Sequence, residues 1–276
     1  MNSSYADILS TVIPIAHEAG AVVRRGFPRT ALTDVEFKGA VNPVTATDEE
    51  AEALILARLR AAFPHHRFLA EESGGDEWLT AGPPIWLVDP LDGTNNFAHA
   101  FPHVSVSLAL VTEGRPVVGV AYDPLRDETF AATAGGGTTL NGEPVHVSTV
   151  GRLASAFLAT GFPYDRRTAA DNNVARLDHF LRRSQGVRRA GSAVLDLAYV
   201  ACGRFDGFWE IRLHPWDVAA GVLLVREAGG RATDFEGQLD YLSGEAIVAS
   251  NGHVHAEMLR VIRDGAAAPL PDSGHT

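Results

Sequence analysis

The spacing of apolar residues changes along the first half of the chain, from a helical period to a strand-like one. Between Tyr5 and Arg25, apolar side chains recur at three- and four-residue steps, which predicts an amphipathic helix. Pro14 lies inside this pattern and predicts a kink or a later start. A second helix is predicted from Thr47, a suitable N-cap with Glu50 three residues later as in a capping box, to Pro64.

Short apolar runs bounded by Gly, Pro and Asp follow from residue 68 onward and are typical of β-strands. These runs are Phe68–Ala70, Ile85–Val88, Val104–Val111 and Val117–Tyr122. The spacing from Val104 to Ala132 predicts an antiparallel meander, and Asn141-Gly142 predicts a hairpin turn.

The second half, from about Gly151, alternates strands and helices. The strands are predicted at 154–160, 206–211 and 247–249, and the helices at 171–184, 192–202, 215–228 and 254–262. Ser192 is a suitable N-cap, and Pro215 suits the first turn of its helix. A chain of 276 residues fits one large domain or two fused halves, and the change near residue 150 places the halves at 1–150 and 151–276.

Charge and cysteine content narrow the class of protein. The chain has 34 acidic and 23 basic residues, and the net charge of −11 argues against a nucleic-acid partner. Lys38 is the single lysine among those bases. The lone cysteine, Cys202, excludes an internal disulfide and fits the cytoplasm. No targeting segment and no run of ~20 apolar residues is present, so no membrane partner is expected.

The strongest chemical signal follows the apolar run that ends at residue 88. Asp89 and Asp92 lie three residues apart across a Pro turn, where both carboxylates and the Leu91 carbonyl can converge on one hard cation such as Mg²⁺. If Gly93 and Thr94 open a helix, their N–H groups form an anion site beside that cation. Such a pair suits a phosphate ester, although the pattern alone also fits an Asp-capped turn that binds nothing.

Two further acids lie at element boundaries. Glu71 follows a strand and precedes a Gly-rich turn, and Asp217 falls in the first turn of a helix. The small residues at 219–221 allow that helix to pack closely on a neighbour. Alone, each acid also fits a solvated loop or a helix-dipole contact. Together with Asp89 and Asp92, they suit two Mg²⁺ ions in a phosphoryl-transfer site.

Other catalytic chemistries have weaker support. The eleven histidines lack the spacing of a transition-metal site. No Gly-x-Ser-x-Gly motif is present, and Asp89 and Asp92 are too far apart for the Asp-x-Asp of an aspartyl-phosphate phosphatase. Cys202 lies in an apolar helical stretch, where a buried small side chain is expected rather than a nucleophile.

Three motifs resemble the inositol monophosphatase family, whose members are Mg²⁺-dependent, lithium-sensitive phosphatases. They are Glu71-Glu72-Ser73, residues 86–97 continuing through 101–107, and residues 216–221 with 227–230. The resemblance runs from about Ala6 to Ile262 and is strongest to bacterial inositol-1-monophosphatases. It implies an α+β fold, the layered αβαβα sandwich of fructose-1,6-bisphosphatase and inositol monophosphatase, with the site between the two halves.

The same resemblance implies roles for individual residues. The implied metal ligands are Glu71, Asp89, Leu91 through its carbonyl, Asp92 and Asp217. The implied catalytic residues, which orient and deprotonate the attacking water, are Thr94, Asp48 and Glu71. The implied substrate-binding residues are Lys38, Asp92, Gly93, Thr94, Gly191, Ser192, Ala193 and Glu210.

The implied activity is hydrolysis of myo-inositol monophosphate, a small phosphorylated polyol, by a metal-activated water. The resemblance implies two or three Mg²⁺ ions per subunit, with Mn²⁺ as a substitute, and a cytoplasmic homodimer. Fructose 1,6-bisphosphate, adenosine 3′,5′-bisphosphate and histidinol phosphate stay open as substrates. Four arginines could bind a second phosphate or form the solvated face of a helix: Arg166, Arg167, Arg182 and Arg183. A non-catalytic role as a dimeric binding partner is the competing class.

Overall fold

Two mixed sheets, a two-stranded antiparallel sheet and seven α-helices make up most of the described part of the chain. The computed structural model describes residues 4–28, 36–37, 43–75, 82–239, 241–268 and 270. The helices are α1 (Tyr5–Gly26), α2 (Ala46–Ala62), α3 (Thr94–Ala98), α4 (Val174–Leu181), α5 (Ala193–Ala201), α6 (Pro215–Glu227) and α7 (His255–Asp264). The strands of the first half are β1 (Glu36–Phe37), β2 (Pro43–Val44), β3 (Arg67–Ala70), β4 (Gly74–Gly75), β5 (Ile85–Asp92), β6 (Ser105–Thr112), β7 (Arg115–Asp123), β8 (Glu128–Thr133), β9 (Gly137–Leu140) and β10 (Glu143–Val145). Those of the second half are β11 (Phe157–Thr160), β12 (Gly186–Arg188), β13 (Gly207–Ile211), β14 (Arg231–Thr233) and β15 (Ala246–Ser250).

The larger sheet has eight strands in the order β10-β9-β8-β7-β6-β5-β3-β4. Only β3 and β5 run parallel within it, and the predicted meander is confirmed as β6, β7 and β8. Asn141 and Gly142, both with positive φ, join β9 to β10 as a tight hairpin turn requires. The smaller sheet has the order β12-β11-β13-β15-β14. The strands of these sheets lie before and after residue 150 respectively, and the division into two domains stays a prediction.

Five layers result from how the strands point their side chains. Along β5, Trp86 and Val88 pack on the α1 and α2 side of the larger sheet, whereas Ile85 and Leu87 pack on the opposite side against α5 and α6. Helices α5 and α6 lie between the two sheets, and the outer face of the smaller sheet is covered by α4 and α7. The expected αβαβα sandwich is confirmed.

Helix α1 begins where the sequence predicts and shows no break at Pro14. Ser4 caps it through a capping box with Asp7, and Pro14 lies on the exposed side, where the lost backbone hydrogen bond is open to water. By length and composition alone this helix is apolar enough to cross a membrane. Its apolar side chains are accounted for by packing, because residues such as Val12 and Ala19 are buried in the core with α2 and the larger sheet.

The start of α2 differs from the prediction. The N-cap is Thr45 rather than Thr47, and the capping-box partner is Asp48 rather than Glu50. The Thr45 N–H donates to Asp48 Oδ2 at 2.9 Å. Extended backbone at residue 45 lets the helix begin two residues earlier than its apolar period shows, and this fixes the Asp48 carboxyl at the helix start.

Two other boundaries differ for local reasons. Helix α4 begins at Val174, not at residue 171, because Asn173 adopts a left-handed conformation with φ of 68°. The predicted strand 154–160 is split, because its first residues form a 3₁₀ turn before β11. The predicted N-cap at Ser192 is confirmed, as is Pro215 in the first turn of α6.

The small residues of α6 bring it close to its neighbours, as predicted. A Cβ built on Gly221 would lie 2.5 Å from Leu197 Cβ on α5, and one on Gly119 of β7 would lie 3.2 Å from Ala220 Cα. The 2.5 Å contact leaves no room for a methyl group, and the 3.2 Å contact is tighter than ordinary packing. Helix α6, which carries Asp217, is therefore wedged between α5 and the larger sheet.

We expect Gly221→Ala to lower the free energy of unfolding by about 1–3 kcal/mol, because overpacking outweighs the roughly 1 kcal/mol that Ala gains in a helix. Urea unfolding followed by circular dichroism measures the change. Gly151→Ala is the matched control, because nothing lies within 4 Å of a Cβ there. Equal unfolding midpoints for the two variants would contradict the close packing of α6.

Candidate active site

One cavity of about 330 Å³ gathers the predicted site residues of both halves. Those that line it are Glu71, Asp89, Leu91, Asp92, Gly93, Thr94, Gly191, Ser192, Ala193, Glu210 and Asp217. Asp48 is not among the lining residues but contacts one of them, Thr94, through a hydrogen bond. Lys38 lies outside the described residues.

The end of β5 shapes one side of the cavity. The register of β5 against β6 shifts between Asp89 and Asp92, so the strand bulges where the two acids lie. The Leu91 N–H donates to Asp89 Oδ1 at 2.9 Å, which orients that carboxylate. Gly93 then turns the chain with φ of 98°, and a Cβ there would lie 2.9 Å from the His103 carbonyl oxygen. The predicted helix opening at Gly93 and Thr94 is confirmed as the start of α3.

Thr94 and Asp48 form a buried pair. The Thr94 hydroxyl oxygen lies 3.0 Å from Asp48 Oδ1 and 3.1 Å from the Leu91 carbonyl oxygen, so it can donate to either. Burial raises the pKa of Asp48 to about 6, against the hydrogen bonds from Thr45 and Thr94 that lower it. When Asp48 is ionised, it accepts a hydrogen bond from the Thr94 hydroxyl, whose lone pairs are then free to accept from another donor, such as a water in the cavity.

The loop that carries Glu71 is fixed by a residue that the sequence analysis missed. Glu52 of α2 is buried, and its two carboxylate oxygens accept the backbone N–H groups of Glu72 and Ser73, each at 2.8 Å. Two such bonds to one carboxylate hold a loop rigidly. The sequence feature that could have identified Glu52 is its position on the face of α2 that also carries the apolar Ile55 and Leu59.

Asp92 is held by the second half of the chain. The Ser192 hydroxyl donates to Asp92 Oδ2 at 2.6 Å, and the Val194 N–H donates to the same oxygen at 2.9 Å. Asn96 Nδ2 on α3 reaches across in the other direction and donates to the Ala190 carbonyl at 2.9 Å. These bonds place the backbone at 190–194 beside the end of β5.

Asp217 completes the acidic wall from the first turn of α6, where its Oδ2 accepts the His214 N–H at 2.7 Å. Burial first, and then the negative charge of Glu71 and its neighbours, raises the pKa of both Asp89 and Asp217. Burial also raises the pKa of Asp92 to about 6. Because these carboxylates destabilise one another, a cation among them is favoured.

The donor set fits a hard divalent cation by its chemistry, since it consists of carboxylate oxygens and one carbonyl. Within the described ranges, no three His, Cys, Asp or Glu side chains are already grouped around one point as ligands. One oxygen each of Asp89, Asp92 and Asp217 accepts a hydrogen bond from the chain itself.

The cavity has further polar walls that sequence reasoning did not identify. They include Thr160, Tyr164, Arg189, Asp196, Arg212 and His214. Of the four arginines considered for a second phosphate, only Arg166 lines the cavity. Arg167 is exposed, Arg182 pairs with Asp178 on the surface, and Arg183 is buried against the Ala268 carbonyl. Arg167 and Arg182 are therefore surface residues, and Arg183 stabilises the fold.

Glu210 enters the cavity from β13 and is almost fully buried. Its carboxylate lies against the backbone of Gly161, where an added Cβ would be 2.0 Å from Oε1. Burial raises the pKa of Glu210 to about 8, Arg189 opposes this rise, and Asp92 adds to it. At neutral pH the group is therefore mostly protonated and can both donate and accept hydrogen bonds.

A raised pKa in the folded state makes this protein less stable as pH rises. The folded chain keeps a proton on Glu210, whereas the unfolded chain loses it near the ordinary pKa of 4.5. The contribution of Glu210 to the free energy of unfolding is therefore full below pH 4.5 and is lost as pH rises through about 8. Between pH 5 and pH 8, we expect the free energy of unfolding of the metal-free protein to fall less in Glu210→Gln than in wild type, by on the order of 2–4 kcal/mol. Urea unfolding in EDTA at several pH values measures it.

The exposed Glu236→Gln variant is the control and should keep the wild-type pH profile. An identical pH dependence in wild type and Glu210→Gln would contradict the burial of an ionisable Glu210 in this cavity.

Comparison with known proteins agrees with this geometry. Residues 4–266 match the model of the inositol monophosphatase family. An inositol-1-monophosphatase from Synechocystis sp. is 46% identical over 232 residues, which cover 84% of this chain and 80% of that protein. The Nus factor SuhB of Escherichia coli is 43% identical over 257 residues, covering 93% and 96%. The solved inositol monophosphatase from Anabaena has a TM-score of 0.86 at 41% identity, covering 98% and 99%. The chain belongs to the inositol monophosphatase family.

Proposed function

We propose that this chain is a Mg²⁺-dependent phosphomonoesterase that hydrolyses myo-inositol monophosphate to inositol and phosphate. The observation that carries the proposal is the grouping of four acids with the Thr94–Asp48 pair around one cavity. The acids are Glu71, Asp89, Asp92 and Asp217. Oxygen ligands beside an oriented hydroxyl are what metal-assisted hydrolysis of a phosphate ester requires.

Members of the family generally depend on metal ions. We propose that two or three Mg²⁺ ions, or Mn²⁺ in their place, are held by Glu71, Asp89, Asp92, Asp217 and the Leu91 carbonyl. Bound there, the ions screen the negative charge of the phosphate, make a water more acidic and stabilise the leaving alkoxide.

The chain's own groups orient the reaction. Thr94 donates a hydrogen bond to Asp48 and accepts one from the attacking water, which fixes the water's position. Glu71 takes the proton that the water loses. The N–H groups of Gly93 and Thr94 donate to phosphate oxygens. Water attacks phosphorus in line with the leaving alcohol, so no covalent enzyme intermediate is needed.

The alcohol part of the substrate is held by the second half of the chain. The backbone at 191–193 and the carboxyl of Glu210 line the same cavity and offer donors and acceptors for ring hydroxyls. The negative charge of Asp92 repels a second phosphate, and Glu210 adds to this repulsion once it ionises as the pH rises through about 8. This favours a monophosphate, in keeping with the names of the Synechocystis and Anabaena relatives.

Arg166 favours a second candidate, a bisphosphate, because this basic residue also lines the cavity. A phosphate-release panel decides between the two: inositol 1-phosphate, fructose 1,6-bisphosphate, adenosine 3′,5′-bisphosphate and histidinol phosphate, each with Mg²⁺, with Mn²⁺ and with EDTA. We expect the highest kcat/KM for inositol 1-phosphate and no activity in EDTA. A higher kcat/KM for a bisphosphate would overturn the proposed substrate, and full activity in EDTA would overturn the metal dependence.

Asp92→Asn tests the proposed ligand set. We expect kcat to fall more than about 100-fold, because a ligand is lost that also positions the phosphate. The fold should persist, since the Asn side-chain oxygen still accepts from Ser192 and Val194. Asp178→Asn, at the exposed ion pair with Arg182, is the control and should keep wild-type activity. Near-wild-type turnover by Asp92→Asn would show that the metal assignment is wrong.

We further propose that the protein acts in the cytoplasm as a homodimer; the single cysteine supports the compartment. The SuhB relatives carry the name Nus factor, which suggests a binding role as the alternative function. The retained acids and the Thr94–Asp48 pair support catalysis as the main role. The net charge of −11 argues against direct contact with nucleic acid.

A further inference from the structure

Asp196 is an acid in the middle of an apolar, buried helix. Every residue of α5 is buried, and Asp196 is its only charged residue, with 1% of its surface exposed. Within the described part of the chain, Asp196 Oδ1 is buried and has no hydrogen-bond partner. The proposed reaction gives this side chain no role, although it lines the cavity.

A purely structural role does not explain this residue. A buried acceptor without a partner destabilises the fold by about 1–3 kcal/mol. The N-terminus of α5 is already capped by Ser192, whose hydroxyl accepts the Leu195 N–H. An apolar side chain at position 196 would pack with Val200, one turn further along the helix, at no such cost. The unsatisfied oxygen therefore indicates a ligand group that completes it.

The surroundings of Asp196 restrict what that ligand can be. Burial raises the pKa of Asp196, the negative charges of Glu210 and Asp92 raise it further, and Arg189 lowers it. A phosphate or carboxylate placed against Asp196 and Glu210 would meet repulsion whenever either carboxyl group is ionised. A neutral hydroxyl can donate to an ionised carboxylate or accept from a protonated one, so it fits this wall in either protonation state.

We propose that Asp196 is a specificity-determining residue, which binds a hydroxyl of the substrate's alcohol next to the one that Glu210 binds. This inference rests on the proposed function, since it concerns the polyol part of the same substrate. Two neighbouring carboxyl groups then bind two hydroxyls of one ring, which selects polyol phosphates over phosphate esters of apolar alcohols.

Two substrates separate this role from a structural one. Inositol 1-phosphate carries ring hydroxyls, and 4-nitrophenyl phosphate carries none but is hydrolysed by the same metal chemistry. We expect Asp196→Ala to lower kcat/KM for inositol 1-phosphate about tenfold, mainly through KM, as the loss of one hydrogen bond predicts. Its kcat/KM for 4-nitrophenyl phosphate should stay within about twofold, since no contact to that alcohol is lost. Asp196→Asn should recover most of the lost selectivity, because its amide also binds a hydroxyl.

Val200→Ala is the matched control, since it truncates a buried side chain on the same face of α5 without lining the cavity. It should leave the ratio of the two kcat/KM values unchanged, and thermal unfolding of every variant reports any loss of folded protein. A wild-type preference for inositol 1-phosphate that persists in Asp196→Ala overturns this inference alone. A wild type without that preference overturns the proposed substrate, and the inference with it.

Discussion

Repulsion among buried carboxylates is the constraint on which the arrangement of this protein depends. Glu71, Asp89, Asp92 and Asp217 line one cavity. Burial raises the pKa of the three aspartates, and neighbouring negative charges raise the pKa of Asp89 and Asp217 further. Such groups would turn away from one another unless the chain held them in place. It does so with backbone N–H groups, with the Ser192 hydroxyl and with the close packing of α6 on α5.

This constraint also explains why the site lies between two sheets. Strand ends and helix N-termini present unpaired N–H groups, which stabilise carboxylates and phosphates alike. The first half supplies the end of β5, and the second half supplies the first turns of α5 and α6. Glu52 and Asn96 hold the loops that separate these elements. These hydrogen bonds form within the chain itself, which favours a reaction that relies on positioning.

Much of this architecture could be predicted from the sequence, because alternation and capping are local signals. The meander, the Ser192 cap and the αβαβα layers followed from them and from the family motifs. The start of α2 did not, because the extended backbone at Thr45 leaves no trace in apolar spacing. Glu52 and Asp196 were missed because burial of an acid depends on distant contacts. Lys38 lies outside the described residues.

The hydrogen bonds that complete the site join residues far apart in the chain. Asn96 meets Ala190 across 94 residues, and Asp92 meets Val194 across 102. Such contacts close only after both sheets have formed, since long loops are slow to close. A partly folded chain that contains only the first half therefore holds Asp92 without the Ser192 and Val194 groups that orient it. Assembly of the catalytic apparatus is in this way tied to the last stage of folding, and an incomplete chain does not hold it.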